Sequence, residues 1–120
     1  LVAHAGLYVC RVLDRKESCG QVFVVTDGGL HHHLAASGNF GQVLRKNYPV
    51  AVANRIDAPT DEVQTVVGPL CTPLDVLAER MPLAHAEPGA LIAGFQSGPS
   101  GRTASPTAFL SHPAPAEVLV

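Results

Sequence analysis

The sequence predicts an all-β domain, a sandwich or a barrel, with one short helix. Three observations predict this fold class. Short runs rich in β-branched residues recur along the chain, turn residues separate them, and 47% of the residues are hydrophobic against 15% charged. With 120 residues the chain has room for one modest core, so we expect a single domain over residues 1–120.

The strands are predicted from alternation and from turn signals. Leu7–Leu13 is apolar on both faces, which is typical of a strand covered on two sides. The polar run Asp14–Gly20 predicts a hairpin turn, and Gln21–Thr26 predicts the returning strand. Further strands are predicted at Val50–Asn54, Glu62–Val67 and Ala90–Phe95, with an edge strand at Glu117–Val120.

The one predicted helix begins at Thr72 and ends at Arg80. Thr72 can serve as the N-cap, Pro73 fits the first helical position, and Asp75 favours the first turn. Cys71 would then precede a helix N-terminus, where the macrodipole favours a thiolate. From the residues alone, Cys71 is either half-buried packing or a chemical group, and packing is somewhat favoured.

Composition excludes several classes of function. Lys and Arg total 8 without a basic cluster, and the net charge is -2, which argues against a nucleic-acid binder. No apolar run approaches ~20 residues, so no membrane span is predicted. Lys16 and Lys46 both look solvated, so neither suits Schiff-base chemistry.

The three cysteines have no regular spacing, which does not suggest a disulfide framework. A reducing, cytoplasmic setting is therefore expected. Cys10 lies within a strand pattern and is predicted to be buried packing, whereas Cys19 lies in a polar turn and is given no role. Cys71 is the cysteine that remains for chemistry.

The triplet His31-His32-His33 is a candidate metal site. In an extended segment His31 and His33 share a face, as a pair of metal ligands requires. No third ligand stands at a recognised spacing, so we favour a polar loop with a histidine-rich tip and predict no metal. A small metal-binding β barrel that uses His31 and His33 is kept as a third hypothesis for function.

Five blocks of sequence together resemble a known family. The first is Val66-Val-Gly-Pro-Leu-Cys71-Thr-Pro-Leu-Asp75, and the others are Leu1–Val9, Val25–Leu30, Phe95–Gly101 and Pro113–Val120. In this order they resemble blocks of the fold type III, pyridoxal-phosphate-dependent decarboxylases of ornithine, arginine and diaminopimelate. The segment from Asp27 to Phe40 is most similar to a subgroup associated with exopolysaccharide or exosortase gene clusters.

The resemblance implies a specific architecture. This chain would be the C-terminal β domain, which resembles that of alanine racemase, and a (β/α)₈ barrel would lie upstream of Leu1. The barrel would hold the Schiff-base lysine, the ring-stacking histidine and the phosphate loop. We therefore expect a piece of a longer homodimeric decarboxylase that uses pyridoxal phosphate, and we expect this piece to be inactive alone.

The resemblance also assigns roles to residues. Cys71 matches the family cysteine that reaches into the partner subunit's active site and helps to return a proton to the decarboxylated substrate, as a general acid can. The residues expected at the substrate are Asp27, Thr72, Asp75 and Phe109. The residues expected at the cofactor are Gly98, Ser100 and Gly101.

Three positions depart from the family pattern. Thr72 replaces an acid that pairs with the substrate's distal ammonium, which argues against a lysine- or ornithine-like substrate. Ser100 replaces a tyrosine that bonds the cofactor phosphate and is shorter by a ring. Ala35 or its neighbours stand where diaminopimelate enzymes keep an arginine. These losses motivate a second hypothesis, a non-catalytic remnant or a dimerisation module.

Overall fold

The computed structural model describes residues 3–37, 47–98 and 100–120. The described residues form one six-stranded sheet with the strand order β3-β6-β1-β2-β4-β5. The strands are β1 (Tyr8–Ser18), β2 (Gln21–Thr26), β3 (Val50–Val52), β4 (Glu62–Val67), β5 (Val76–Leu83) and β6 (Leu91–Gly94). The helical pieces are α1 (Ser100–Thr103) and 3₁₀ turns at Ala3–Ala5, Leu34–Ser37, Ala53–Arg55 and Phe109–Ser111. The predicted all-β class is confirmed.

The two ends of the strand order, β3 and β5, come together, so the sheet is nearly closed and barrel-like. Side chains join this seam. Asn47 bonds both the carbonyl and the amide of Glu79 in β5, at 2.8 and 2.9 Å. Arg55, just after β3, donates to the His85 carbonyl at 2.9 Å. These contacts occupy backbone groups that a strand at a sheet edge otherwise leaves open.

The hairpin of β1 and β2 is longer than predicted. A turn over Asp14–Gly20 is wrong, because β1 continues to Ser18, which pairs with Gln21. Cys19 and Gly20 alone make the turn, with φ of 51° and 77°. Two successive positive φ values are typical of a type I′ turn, whose twist matches that of the flanking strands. The charged run therefore lies on an exposed ladder.

The helix predicted from Thr72 to Arg80 is also wrong. Residues 72–75 form a turn in which the Asp75 amide donates to the Thr72 carbonyl at 3.2 Å, and strand β5 follows. β5 pairs antiparallel with β4. This pairing buries Leu77, Ala78 and Leu83, so long-range packing overrides the local helix-start signals.

The core lies on the inner face of the sheet. Its most buried members include Val12, Val24, Val52, Val66 and Ile92. Cys10 is 5% exposed, which confirms its predicted burial. The chain at β1 is covered on one face and not on both, since Leu7, Val9 and Leu13 are 56%, 45% and 55% exposed.

The C-terminal residues do not form the predicted edge strand. Glu117–Val120 is irregular and exposed, and Glu117 is held by Arg102 at 2.5 Å. Within the described parts of the chain, no helix has the length and apolar character needed to cross a membrane.

Candidate functional site

Two turns meet at one end of the sheet because β2 and β4 are parallel. Residues 22–25 of β2 pair with residues 64–67 of β4, so the carboxyl ends of both strands lie side by side. The chain leaving β2 is the Asp27-Gly-Gly-Leu turn, and the chain leaving β4 carries Cys71. We call these two turns, residues 27–31 and 68–75, the parallel-strand corner.

Asp75 holds the parallel-strand corner together. Its side chain is 3% exposed. One carboxylate oxygen accepts the Leu30 amide at 2.7 Å, and the other accepts the Leu70 amide at 2.9 Å. A Cβ at Gly29 or at Gly68 would lie 2.2 Å from a carboxylate oxygen, so both glycines make room for this side chain. The carboxylate thus links the two turns through backbone amides.

Cys71 lies on the rim of this corner. Its thiol is free and exposed, directly after the Leu70 amide that Asp75 binds. The predicted helix macrodipole does not act on it, since turn and strand follow. Thr72 is half-buried, and its hydroxyl oxygen accepts the Leu74 amide at 3.3 Å. The corner therefore has an exposed thiol at Cys71, whereas the flanking residues Leu70 and Thr72 form hydrogen bonds within the turn.

The other two cysteines have different surroundings. Burial raises the pKa of the Cys10 thiol to about 12, which keeps that thiol protonated. Cys19 is exposed, at the tip of the hairpin. Neither lies in the parallel-strand corner.

Asp27 lies at the start of the corner and is exposed. Its carboxylate accepts the Arg11 amide at 2.8 Å, and its own amide donates to the Arg11 carbonyl at 3.0 Å. These bonds lie next to an irregularity in the β1–β2 ladder between Val12 and Asp14. Asp27 thus fixes the end of the hairpin, and its contact with substrate stays a prediction.

The histidine triplet is mostly inside the fold, so the expected polar tip is wrong. His31 and His33 are each 1% exposed. Tyr8 Oη lies 2.9 Å from His32 Nδ1, and His32 Nε2 lies 2.9 Å from the Pro113 carbonyl. Because a carbonyl only accepts, Nε2 carries the proton and Nδ1 accepts from the tyrosine.

His31 and His33 are held in the neutral form. Burial, and then the neighbouring His32, lower the pKa of His31 to about 4. Burial also lowers the pKa of His33, which packs edge-on between Tyr8 and Tyr48. Across the described ranges, no three His, Cys, Asp or Glu side chains are grouped to hold a metal ion. The burial of the triplet was not predicted from the sequence. The aromatic partners of His33, Tyr8 and Tyr48, are brought to it only by the fold.

The C-terminal segment covers this cluster. The His112 ring lies 5.5 Å from the ring of His31. Phe109 is 38% exposed and precedes Leu110 and Ser111, whose φ values of 52° and 59° are both positive. The contact of Phe109 with substrate stays a prediction. The segment that follows Phe109 lies against the histidine triplet, beside the parallel-strand corner.

Gly98 and Gly101 bound a tight turn. The Gly101 amide donates to the Gly98 carbonyl at 3.4 Å. A Cβ at Gly101 would lie 2.1 Å from the Ser97 hydroxyl, so a larger residue here would need the Ser97 side chain to turn away. Ser100 begins α1, and its side chain lies outside the described part of the chain.

The family described as pyridoxal-dependent decarboxylase, C-terminal sheet domain, matches residues 2–98 of the 120. The chain belongs to this family. The match includes the whole sheet and the parallel-strand corner of the decarboxylase sheet domain.

Two curated relatives match the sheet domain from end to end. An L-glutamyl-[BtrI acyl-carrier protein] decarboxylase from Niallia circulans is 45% identical over 122 residues, covering 99% of this chain and 28% of that protein. A diaminopimelate decarboxylase from Archaeoglobus fulgidus is 40% identical over 120 residues, covering 100% of this chain and 27% of that protein. The chain thus spans little more than a quarter of the length of these relatives.

Solved structures agree on the fold. A crystal structure of an Aquifex aeolicus protein matches with a TM-score of 0.86 at 23% identity, over 99% of this chain and 28% of that one. Diaminopimelate decarboxylase from Helicobacter pylori, solved with L-lysine, matches with a TM-score of 0.75 at 27% identity, over 94% and 26%. The sheet domain thus matches little more than a quarter of a longer chain in both comparisons.

Within residues 3–37, 47–98 and 100–120, no lysine is placed to hold pyridoxal phosphate as a Schiff base. The one lysine within the described ranges is Lys16, on the exposed hairpin, and Lys46 lies outside those ranges. The Gly101 amide is already bonded to Gly98, and Asp75 already binds the Leu30 and Leu70 amides of the corner. The exposed thiol of Cys71 lies at the edge of this corner, and its contact with a cofactor site stays a prediction.

Proposed function

We propose that this chain is the C-terminal part of a homodimeric, pyridoxal-phosphate-dependent amino-acid decarboxylase, and that Cys71 acts in the partner subunit's active site. The observation that carries the proposal is an exposed, free thiol on a turn that a buried carboxylate holds in place. The family match and the two curated relatives, both decarboxylases by name, support the reaction class.

Cys71 is proposed to supply the proton that ends the reaction. When CO₂ leaves, the electron pair of the broken bond stays at the substrate's α-carbon, and the cofactor supplies the electron sink that makes this step accessible. The Cys71 Sγ–H then donates its proton to that carbon. Because Sγ is exposed, it can recover a proton from water.

The exposed β1 face supports a larger assembly. Leu7, just before β1, and Val9 and Leu13 within it are 56%, 45% and 55% exposed, with the exposed Arg11 among them. We propose that the rest of the decarboxylase covers this face. This agrees with a chain that spans about a quarter of its relatives' length.

The substrate is proposed to have an uncharged distal end. Thr72 replaces the acid that the resemblance expects for a distal ammonium, and its hydroxyl is bonded within the turn. Ala35 or its neighbours, in the 3₁₀ turn after the triplet, stand where the resemblance expects an arginine for a distal carboxylate. By its name, the Niallia circulans relative acts on a glutamyl group on a carrier protein, and a tether through the side-chain carboxyl would leave such an uncharged end.

Cysteine substitution in the full-length enzyme tests the role of Cys71. Cys71→Ala should lower kcat on the order of 10²- to 10⁴-fold, the usual contribution of a positioned acid. Cys19→Ala removes another exposed thiol, at the hairpin tip, and should leave turnover unchanged. Equal turnover of Cys71→Ala and the parent would remove Cys71 from the mechanism and favour a non-catalytic module.

Mixed dimers test whether Cys71 acts across an interface. A Cys71→Ala chain is combined with a chain whose Schiff-base lysine is replaced. If the thiol serves the partner's site, each mixed dimer regains one complete site, and random mixing restores about a quarter of the parent activity. If the thiol serves its own chain, mixing restores nothing, which would contradict the interface role.

The substrate is tested by direct comparison. The full-length enzyme is given diaminopimelate, ornithine and a glutamyl-loaded carrier protein, and release of CO₂ is measured. Turnover of the tethered glutamyl group alone is expected. Preference for diaminopimelate would contradict the uncharged distal end without affecting the role of Cys71.

A further inference from the structure

We propose that Asp75 is a positioning residue for Cys71, which it holds in place by fastening the end of β4 to the end of β2. The inference rests on the proposed function, because it assigns Asp75 a part in the reaction only through the thiol. It goes beyond the resemblance, which placed Asp75 at the substrate or in a structural capping role and did not connect it with the thiol.

The position of Cys71 is fixed from both sides. On one side, Leu70 donates its amide to an Asp75 oxygen at 2.9 Å. On the other, the Asp75 amide donates to the Thr72 carbonyl at 3.2 Å. The base of the loop is closed by the Gly68 amide, which donates to the Asp75 carbonyl at 3.0 Å. A single residue thus anchors the loop through both its backbone and its side chain.

The second carboxylate oxygen connects this loop to another part of the chain. It accepts the Leu30 amide at 2.7 Å, across a sequence separation of 45 residues. The loop is therefore placed relative to the turn after β2, and not only closed on itself. A backbone hydrogen bond within the loop could close the loop, but it could not fix the position of the loop relative to the turn after β2.

The site is shaped for an aspartate. A Cβ at Gly29 or Gly68 would lie 2.2 Å from the carboxylate, so the space around it is already filled. A buried carboxylate is costly to desolvate unless hydrogen bonds satisfy it, and two backbone amides do so here. Asparagine has nearly the same shape but only one acceptor oxygen, so its NH₂ group would face one of the two amide donors.

A double-mutant cycle in the full-length enzyme tests the inference. Asp75→Asn is expected to lower kcat by roughly 10- to 100-fold with KM within about twofold, because the thiol is displaced while substrate binding persists. In the Cys71→Ala background the same substitution should have no further effect on kcat. An equal fold-loss in both backgrounds would overturn the inference, since a general structural defect does not depend on the thiol.

Failure of the proposed function gives a different result. In that case Cys71→Ala alone leaves turnover unchanged. If Cys71→Ala lowers turnover and Asp75→Asn leaves it unchanged, the proposed function survives and the positioning role is overturned.

Thiol alkylation gives a readout that does not depend on activity. The full-length protein without substrate is treated with iodoacetamide, and each cysteine is followed by mass spectrometry. Asp75→Asn should change the alkylation rate of Cys71 about threefold or more and leave that of Cys19 unchanged. Asp14→Asn is the matched control, because that carboxylate accepts one backbone amide, from Arg15 at 2.8 Å, on the exposed hairpin. An unchanged Cys71 rate in Asp75→Asn would overturn the inference.

Amide exchange keeps the inference testable if Asp75→Asn folds poorly. In the unmodified full-length protein, the Leu30 and Leu70 amides should be protected and should exchange at similar rates, since one carboxylate binds both. Exchange of either amide at the rate of an unstructured peptide would overturn the inference.

Discussion

Asn47 binds Glu79 as a neighbouring strand would. Its Nδ2 donates to the Glu79 carbonyl at 2.8 Å, and its Oδ1 accepts from the Glu79 amide at 2.9 Å. A primary amide carries a donor and an acceptor side by side, as a peptide group does. One side chain thus continues the hydrogen bonding of the sheet across the seam between β3 and β5.

Replacing Asn47 should therefore open the seam. Asn47→Ala removes two hydrogen bonds and is expected to lower the free energy of unfolding by about 1–3 kcal/mol, measured by urea denaturation. Asn54→Ala is the matched control, because its side chain accepts a single amide, from Leu91 at 3.1 Å. The Asn54 variant should lose about half as much. Equal losses of unfolding free energy in the two variants would mean that the two Asn47 bonds contribute no more to stability than the single Asn54 bond.

The hairpin tip can be improved. Cys19 has a φ of 51°, a left-handed conformation that asparagine adopts more readily than cysteine, and Gly20 follows it. Cys19→Asn is expected to stabilise the fold by a few tenths to about 1 kcal/mol. Cys19→Val should destabilise it, because a β-branched side chain resists a positive φ. Thermal unfolding of both variants checks the order, and a stabilising valine would contradict the turn geometry.

Acid should destabilise the fold through His31. Its folded pKa of about 4 lies below the ordinary 6.5, so the unfolded chain binds the proton more readily. The stability contribution is complete above about pH 6.5 and is lost as the pH falls towards 4, by up to about 3 kcal/mol. His31→Gln should flatten the decline in Tm over this range. An unchanged slope in that variant would contradict the assignment to His31.

His85 should act in the opposite direction. Hydrogen bonds to Glu87 and then to Glu62 raise the pKa of His85 above 6.5. The protonated ring therefore stabilises the fold below that pH, and this contribution is lost as the pH rises through the raised folded pKa. The difference in Tm between the parent and His85→Gln should be largest below pH 6.5 and should shrink as the pH rises through the raised pKa of His85. A difference that grows with pH would have the wrong sign.

Local patterns predicted most of the strands but not their long-range pairing. Gln21–Thr26 and Glu62–Val67 were found as strands with the observed bounds because both are rich in β-branched residues. Their parallel pairing joins distant segments, and no local signal encodes it. The thiol of Cys71 could be singled out from the sequence, but the bond across the corner between the Leu30 amide and Asp75 could not.

Predictions from local sequence were wrong where the same residue types occur in two kinds of structure. The Thr72-Pro-Leu-Asp75 segment looks like a helix start, yet a hydroxyl that accepts an amide two residues on also makes a turn. The histidines were predicted at a polar tip because no third metal ligand stood at a recognised spacing. His33 instead packs between two phenol rings, and only the fold brings Tyr48 to it.

The parallel pair of β2 and β4 has a consequence for how the chain folds. Val22 must meet Gln64 before the turns after these strands can touch, and the closure of so long a loop is slow. The β1–β2 hairpin, by contrast, needs only its own two-residue turn. We expect early refolding intermediates to contain the β1–β2 hairpin while the Cys71 thiol has not yet reached its native position.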